Sequence, residues 1–540
     1  MAPSHPPTET NEAKLKAAAR GWESMTREVE YWIPEADIEG QIPKDLNGTF
    51  FRNGPGLSDV YGTPLKHPID GDGMICALQF SNGRVHFRSK FVDTWQHHQE
   101  QIHRAFLFRG QMGTSNAEIN SKDSWALAKA PLLLRDVPPS FVGSIHSQHS
   151  GPDDLGKTLP VKSFAAHFRV DPINRTLVTL SLKPEIPAVP GTVRAAQPPL
   201  LVMNEYDEAW RLIQTQRHNI PGLNYSHDFL LTENYYILHM TPFVKLTASL
   251  FFKITLGLAS PGETMKHYPD LPSRFVVIPR DPKKKDQIRQ FDTRRVHIYH
   301  FGNVSEKTSP DGTVQLVFNA LCLGEHFTME FENGVWLSNA SVAPGFLMEH
   351  QLTFNSNSIP PLDPTSYPKS VDRVVESSSS EFPVSHPGRH GLPCRYLYLM
   401  SATDPNRRIP FTDIVKYDSL GPTSPAGSTT VWKSHGIVGE PCFAPKDTYD
   451  WEAKIEKGSA EATGYVNSED DGYVVVQVYV PKEHRTDFVV LDAKHVEKGP
   501  IARIKLRHHL PYGFHGTWCS KTFVDMPKGA VRVGGETAKL

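Results

Sequence analysis

The 540-residue chain is poor in cysteine: five residues, at 76, 322, 394, 442 and 519, with no C-x-x-C pair. That excludes a disulfide scaffold and a zinc ribbon, and implies a reducing compartment. Charge of either sign is not in surplus. Lys plus Arg is 57 and Asp plus Glu is 59, a formal net charge of −2, so no nucleic acid partner is expected, because phosphate binding needs a basic excess. No run of 18 uncharged apolar residues occurs, which predicts no transmembrane helix. The opening MAPSHPPTETNEAKLKAAARGWES has no apolar core of signal-peptide type, and a cytoplasmic protein is the expectation. There is no H-E-x-x-H, no Ser-His-Asp signature and no local pair of histidines at helical spacing with metal-site character. Apolar residues at 39% exclude a disordered chain.

Turn formers and histidines are plentiful: 45 Pro, 38 Gly and 25 His. From about residue 36, short β-prone runs alternate with turn signals. In ICALQFSNGRVHFRSKFV (75–92), Ser81-Asn82-Gly83 separates two such runs and predicts a hairpin. The same texture recurs at FAAHFRVDPINRTLVTLSL (164–182), DGTVQLVFNALCL (311–323), RYLYLMSA (395–402) and GYVVVQVYVPKEHRTDFVVLDAK (472–494). Strands of five to eight residues with frequent turns and no βαβ alternation predict an all-β fold. A closed propeller with long inserted loops is the most economical choice at this length. The expected organisation is a flexible arm over 1–25, one propeller domain over 26–530, and a tail over 531–540.

One segment has a different texture. In TPFVKLTASLFFKITLGLA (241–259), Phe243, Leu246, Leu250, Phe251, Ile254 and Leu258 recur at helical spacing, interrupted by Lys245 and Lys253. A core helix and an amphipathic helix dipping into one membrane leaflet both fit.

Four histidines stand in settings where an imidazole needs a reason. They are His167 in SFAAHFRVDP, His227 in NYSHDFLLTENY, His300 in VHIYHFGN and His515 in LPYGFHGTWC. Each alone reads more readily as a satisfied core or surface side chain. A propeller, however, offers the inner strand of each blade to one axis, where scattered histidines could meet on one ion. All-imidazole ligation suits iron, copper, nickel or zinc. Ligating imidazoles usually donate their second N–H to a carboxylate, and Glu381 in SSSEFPVSHP and Glu440 in IVGEPCFAP are carboxylates in apolar surroundings.

Taken in order, these segments resemble the carotenoid cleavage oxygenase family, most of all its cyanobacterial apocarotenoid oxygenase branch. The resemblance begins with WIPEADIEGQIPKDLNGTFFRNGPG (32–56) and HPIDGDGMICALQFSNGRVHFRSKFV (67–92). It runs through AHFRVDP, SHDFLLTENYY, SRFVVIPR and YHFGNVSE, and ends with EFPVSHPGRHGLPCRYLYL, GEPCFAP and RHHLPYGFHGTW. It implies a seven-bladed β-propeller with a dome of loops and short helices. It implies Fe(2+) held by His167, His227, His300 and His515, with Glu381 and Glu440 orienting imidazoles. His239, His297, His508 and His509 are rivals without motif support. The implied reaction is cleavage of a conjugated C=C bond of an apocarotenoid polyene by O2 into two carbonyl products. A monomer resting on a membrane surface through 241–259 would suit a lipid-borne substrate. A stilbene-cleaving oxygenase, a retinoid isomerase-hydrolase on the same scaffold, and a non-catalytic binding propeller are the alternatives.

The chain departs from the family pattern after RGQMGT (109–114), where SNAEINSKDSWALAKAPLLLRDVPPSFVGSIHSQHSG does not align. The family's third orienting glutamate falls there. Glu118 is the one glutamate between Glu100 and Glu185, and Glu118 or Asp136 is the available substitute. Residues 115–160 hold no Tyr but do hold Lys122, Lys129 and Lys157, half of the Tyr–Lys pair that stilbene chemistry wants. Phe168 also stands where the family usually has Pro.

Overall fold

The structure is a computed structural model. It describes residues 16–110, 112–115, 165–183, 199–242, 259–260, 262, 268, 271–324, 345–360, 366–376, 378–402, 410–420, 428–446 and 469–525. Among these residues there are six antiparallel sheets of four or more strands, each built mainly from consecutive strands. Numbered in chain order, sheet 1 contains Gly48–Pro55, Gly73–Ser81 and Arg84–Phe91; sheet 2 runs from Phe168–Asp171 to Leu212–Asn219; sheet 3 from Phe229–Leu231 to Arg289–Asp292. Sheet 4 runs from His297–Thr308 to Val371–Glu376, sheet 5 from Ser380–Val384 to Ser428–Lys433, and sheet 6 centres on Gly472–Val480, Arg485–Asp492 and Pro500–Lys505. Residues 116–164, and with them Glu118 and Asp136, lie outside the described residues, as do 243–258 of the apolar segment.

The local signals explain the elements. The predicted hairpin forms with Ser81 opposite Arg84. Asn82 and Gly83 both take positive φ, 50° and 78°, as the two-residue turn matching strand twist requires. Sheets 1 and 6 close on each other twice. The C-terminal strand Gly516–Cys519 pairs with Gly48–Pro55 of sheet 1, and the early strand Ile38–Gly40 pairs with Pro500–Lys505 of sheet 6. Each closure covers backbone groups that an open edge would leave unpaired.

The core lies between neighbouring sheets rather than at one centre. One apolar cluster joins sheets 1 and 6 around Phe50, Phe87, Phe488 and Ile504; another joins sheets 3 and 4 around Phe275, Phe301 and Phe318. A sheet covered on both faces needs no alternation, and all nine residues of GYVVVQVYV are buried. Polar ties supplement the packing. Arg280, after the third strand of sheet 3, donates to Asp171 at 2.7 Å and Glu205 at 2.8 Å in sheet 2.

The arm expected over 1–25 is anchored in its second half. Ala18, Gly21 and Met25 are buried, Tyr512 Oη donates to the Ala18 carbonyl at 2.8 Å, and Trp22 meets the Tyr512 ring edge-on. That segment docks because it covers aromatic surface near the end of the domain. No helix among the described residues is long and apolar enough to cross a membrane.

Candidate metal centre

Each of the six sheets presents an edge strand to one region; the edges of sheets 2 and 3, 3 and 4, 4 and 5, and 6 and 1 touch, while sheets 5 and 6 meet through Asp413–Asp418 and Ile437–Val438. The candidate residues all sit on or beside these edges. His167 precedes Phe168–Asp171 of sheet 2, and His227 lies two residues before Phe229–Leu231 of sheet 3. His300 belongs to His297–Thr308 of sheet 4, and His515 precedes Gly516–Cys519 in sheet 1. Glu381 lies on Ser380–Val384 of sheet 5, and Glu440 two residues before Cys442–Pro445 of sheet 6. Four sheets bring a histidine and the two between them in the ring bring a glutamate.

The four imidazoles converge, with candidate ligand atoms all within 4.8 Å of one another. His167 Nε2 and His227 Nε2 stand 3.1 Å apart. Imidazole nitrogens about 2.1 Å from one ion are roughly 3 Å apart when adjacent and about 4.2 Å when opposite, so this spacing fits a shared ion. In three of the four, the other ring nitrogen has a partner. His300 Nδ1 lies 2.7 Å from Glu381 Oε2, and His515 Nδ1 lies 3.0 Å from Glu440 Oε1. His227 Nδ1 lies 2.9 Å from Tyr225 Oη. A bond at Nδ1 fixes the tautomer that leaves Nε2 to a metal. His300 Nε2 is buried with no hydrogen-bond partner among the described residues, an expense that a metal at the centre would remove. The donor set therefore fits one borderline transition-metal ion.

Electrostatics agree at two of the four histidines. Burial, reinforced by the neighbouring imidazoles, holds His167 and His227 well below the usual histidine range, which keeps them neutral as ligands must be. Burial also works downward on His515, but the Glu440 carboxylate outweighs it and the net shift is upward.

Local geometry shows how the edge strands aim these side chains. The pairing of His297–Thr308 with its neighbour shifts register between Ile298 and Phe301, and such a bulge re-aims side chains. His300 thereby faces the centre, while His297 turns aside and meets Thr241 Oγ1 at 2.8 Å. The other rivals are likewise bonded elsewhere: His239 to Ser273, His508 to Tyr31 and His509 to the Glu23 carbonyl. Phe168 is exposed and starts its strand, so its departure from proline leaves His167 in the cluster.

Several residues that sequence reasoning did not single out shape the centre. Asp228, beside His227, ion-pairs with Arg169 of sheet 2 and accepts from Phe229 N at 2.8 Å and from Phe301 N of sheet 4 at 3.0 Å. One carboxylate thus joins the strands carrying three of the histidines. Asn53 holds the fourth: its Oδ1 accepts from His515 N at 2.9 Å, and its N–H donates to the His515 carbonyl at 2.8 Å. Phe382 takes a left-handed φ of 54° and lays its ring against His300 and His515. The visible signal for Asp228 was a carboxylate next to a histidine in an apolar run; for Asn53 and Phe382 there was none beyond the motifs around them.

A propeller with a four-histidine axial cluster defines a class: metal-dependent oxygenases of the carotenoid-cleaving kind. The family model described as retinal pigment epithelial membrane protein matches residues 22–520. The chain belongs to this family, that of the carotenoid oxygenases, and is an oxidoreductase that uses O2. Apocarotenoid-15,15'-oxygenase of Synechocystis sp. is 29% identical over 528 residues, covering 92% of this chain and 95% of that protein. Isoeugenol monooxygenase of Pseudomonas nitroreducens is 25% identical, covering 90% and 94%. Lignostilbene-alpha,beta-dioxygenase isozyme III of Sphingomonas paucimobilis is also 25% identical, with the same coverage. Among solved structures, cobalt-substituted Synechocystis apocarotenoid oxygenase superposes with a TM-score of 0.70 at 26% identity, covering 94% of this chain and 98% of that one. The fold is accordingly the seven-bladed propeller, six of whose blades are the sheets described above.

Proposed function

We propose that this protein holds one ferrous ion on His167, His227, His300 and His515 and uses O2 to cleave a conjugated C=C bond of an apocarotenoid. The observation that carries the reading is the convergence of four imidazoles, three of which have their outer nitrogens held, by Glu381, Glu440 and Tyr225. The stoichiometry closes without a further reductant: one C=C bond and one O2 become two carbonyl groups. When bound, the iron would supply the activation of O2 that no side chain can provide. The chain's own part is positioning and shielding. Glu381 and Glu440 hold the imidazoles in one tautomer, Asp228 and Asn53 fix the strands that carry them, and the Phe382 ring keeps water from one side of the cluster. No proton needs moving for the cleavage, so the lack of a general acid–base pair is consistent with it.

The polyene reading rests on the higher identity to the apocarotenoid oxygenase than to the two relatives named for phenolic alkenes. Those two relatives support the second reading, cleavage of a phenol-bearing alkene of stilbene type. Purified iron-loaded protein incubated in parallel with apocarotenals and with resveratrol, with products identified by mass, separates them. Aldehyde from an apocarotenal supports the first; efficient resveratrol cleavage with no apocarotenal product overturns it. We further propose that the protein is monomeric, cytoplasmic and peripheral on membranes through residues 241–259. The support for the membrane role is the helical spacing of the apolar residues in the sequence there, interrupted by Lys245 and Lys253. Changing Phe251 and Phe252 to Ser should lower liposome co-sedimentation, and unchanged binding would remove the membrane role.

A further inference from the structure

The histidine centre is braced unevenly. His300 and His515 each meet a carboxylate carried by the neighbouring sheet. The partner of His227 is different in kind and origin: the Tyr225 hydroxyl, 2.9 Å from Nδ1 and two residues upstream on the same strand entry. We propose that Tyr225 is the positioning residue for His227, a neutral phenol oxygen doing there what carboxylates do for His300 and His515. This inference rests on the reading that the four histidines hold a metal.

The bond's direction follows from that reading. If His227 Nε2 is to offer a lone pair to a metal, Nδ1 must carry the proton, so Nδ1–H donates and Tyr225 Oη accepts. The surroundings hold the phenol in place. Its ring lies nearly parallel to His297, 6.4 Å between centroids. His297 is fixed to Thr241 at 2.8 Å and meets Tyr299 edge-on at 4.3 Å. Tyr299 in turn meets His227 edge-on at 5.1 Å. Tyr225, His297 and Tyr299 therefore form an aromatic bracket behind His227, with the phenol oxygen as its one polar contact on Nδ1 among the described residues.

The chemistry differs from that of a carboxylate brace. A phenol orients the ring but withdraws the N–H proton less, so His227 is a weaker donor than His300 or His515. With Glu381 and Glu440 as the nearby carboxylates at these bonds, a dication would be balanced by two negative charges instead of three. Glu118 and Asp136, outside the described residues, are the competitors for the same nitrogen.

The test compares Tyr225→Phe with Glu118→Gln and Asp136→Asn in the full-length protein. Ferrous affinity is measured by chelator competition, and the ligand field by the visible absorption of the Co(II)-loaded protein; cobalt occupies the corresponding enzyme from Synechocystis. The expectation is about tenfold weaker iron binding and a displaced cobalt band for Tyr225→Phe, with unchanged melting, since loss of such a partner costs ~10–100-fold. Incorporating 3-fluorotyrosine at 225, which keeps the shape and weakens the acceptor, should move the band the same way by less. That variant decides the matter if Tyr225→Phe does not fold. Wild-type affinity and spectrum in the tyrosine variants, or the same losses in Glu118→Gln or Asp136→Asn, would overturn the proposal in favour of a carboxylate. His227→Ala separates the two levels: full metal retention there would sink the four-histidine reading itself, and this inference with it.

Discussion

The two halves of the candidate centre are built differently. On one side, His300 and His515 are held by carboxylates that arrive from the next sheet in the ring, Glu381 from sheet 5 and Glu440 from sheet 6. These braces also bond backbone: Glu381 accepts from Phe382 N and Glu440 from Gly516 N. On the other side, His227 meets a tyrosine from its own strand entry, and the strands of His167, His227 and His300 are tied together by Arg169 and Asp228. The first half couples imidazole chemistry to blade packing directly. The second separates the tasks: a phenol sets the ring, and a buried ion pair sets the strands. The contrast teaches that one cluster of candidate ligands can be held by anionic partners on one side and by packing and a neutral oxygen on the other.

The largest effect should come from the ligands. His300→Ala and His515→Ala are each expected to drop iron from one per chain to a trace while leaving the β fold, because the side chains end at sheet edges and the core lies between sheets. Elemental analysis and circular dichroism check this, and stoichiometric iron in either variant would break the comparison at its root. Next come the carboxylates. Glu381→Gln and Glu440→Gln should each weaken iron retention ~10–100-fold without emptying the site, and more than Tyr225→Phe does; equal losses at all three positions would erase the distinction between the halves.

Asp228→Asn tests the strand tie. It removes the anion facing Arg169 and weakens the bond to Phe301 N, and hydrogen bonds to charged groups are worth about 1.5–3 kcal/mol. A lower denaturant midpoint is expected, with metal affinity reduced less than in Glu381→Gln. A midpoint unchanged within error would show the tie to be dispensable.

The smallest effect belongs to a pair remote from the cluster in contacts. Asp372 accepts from His350 Nδ1 at 2.9 Å and from Thr293 Oγ1 at 2.9 Å. Burial works upward on its carboxyl, but the His350, Ser370 and Thr293 bonds outweigh it and bring it down to about 2 from 3.8. Its folded value lies below its unfolded one, so its contribution is complete above roughly pH 4 and is lost as pH falls toward about 2. Asp372→Asn should flatten that part of the acid-unfolding curve and leave iron binding above pH 6 untouched. A change in metal affinity would show that the centre is not governed by its local braces.

Strand texture and the Asn82-Gly83 turn were legible as local patterns, whereas the four candidate histidines and the two glutamates stood out only through the motifs that resemble the family. A hairpin turn is decided by two residues' allowed φ, and a β-prone run by its own side chains; neither needs a distant partner. The docking of residues 16–25 was not legible, because Tyr512, which receives them, lies nearly 500 positions away. Residue spacing puts His297 and His300, three apart in one strand, on opposite faces, but could not say which of them faces the centre. The bulge between Ile298 and Phe301 turns one to the centre and the other to Thr241, and a bulge depends on how the neighbouring strand pairs. Glu381 was readable as a candidate, but its bond to His300 spans 81 residues, and Asp228 acquired its role only when adjoining sheets met. Local chemistry chose the elements and the donor types. Which donors face one another was decided by ring closure, since contacts between sheets are long-range and depend on every blade between them being in place.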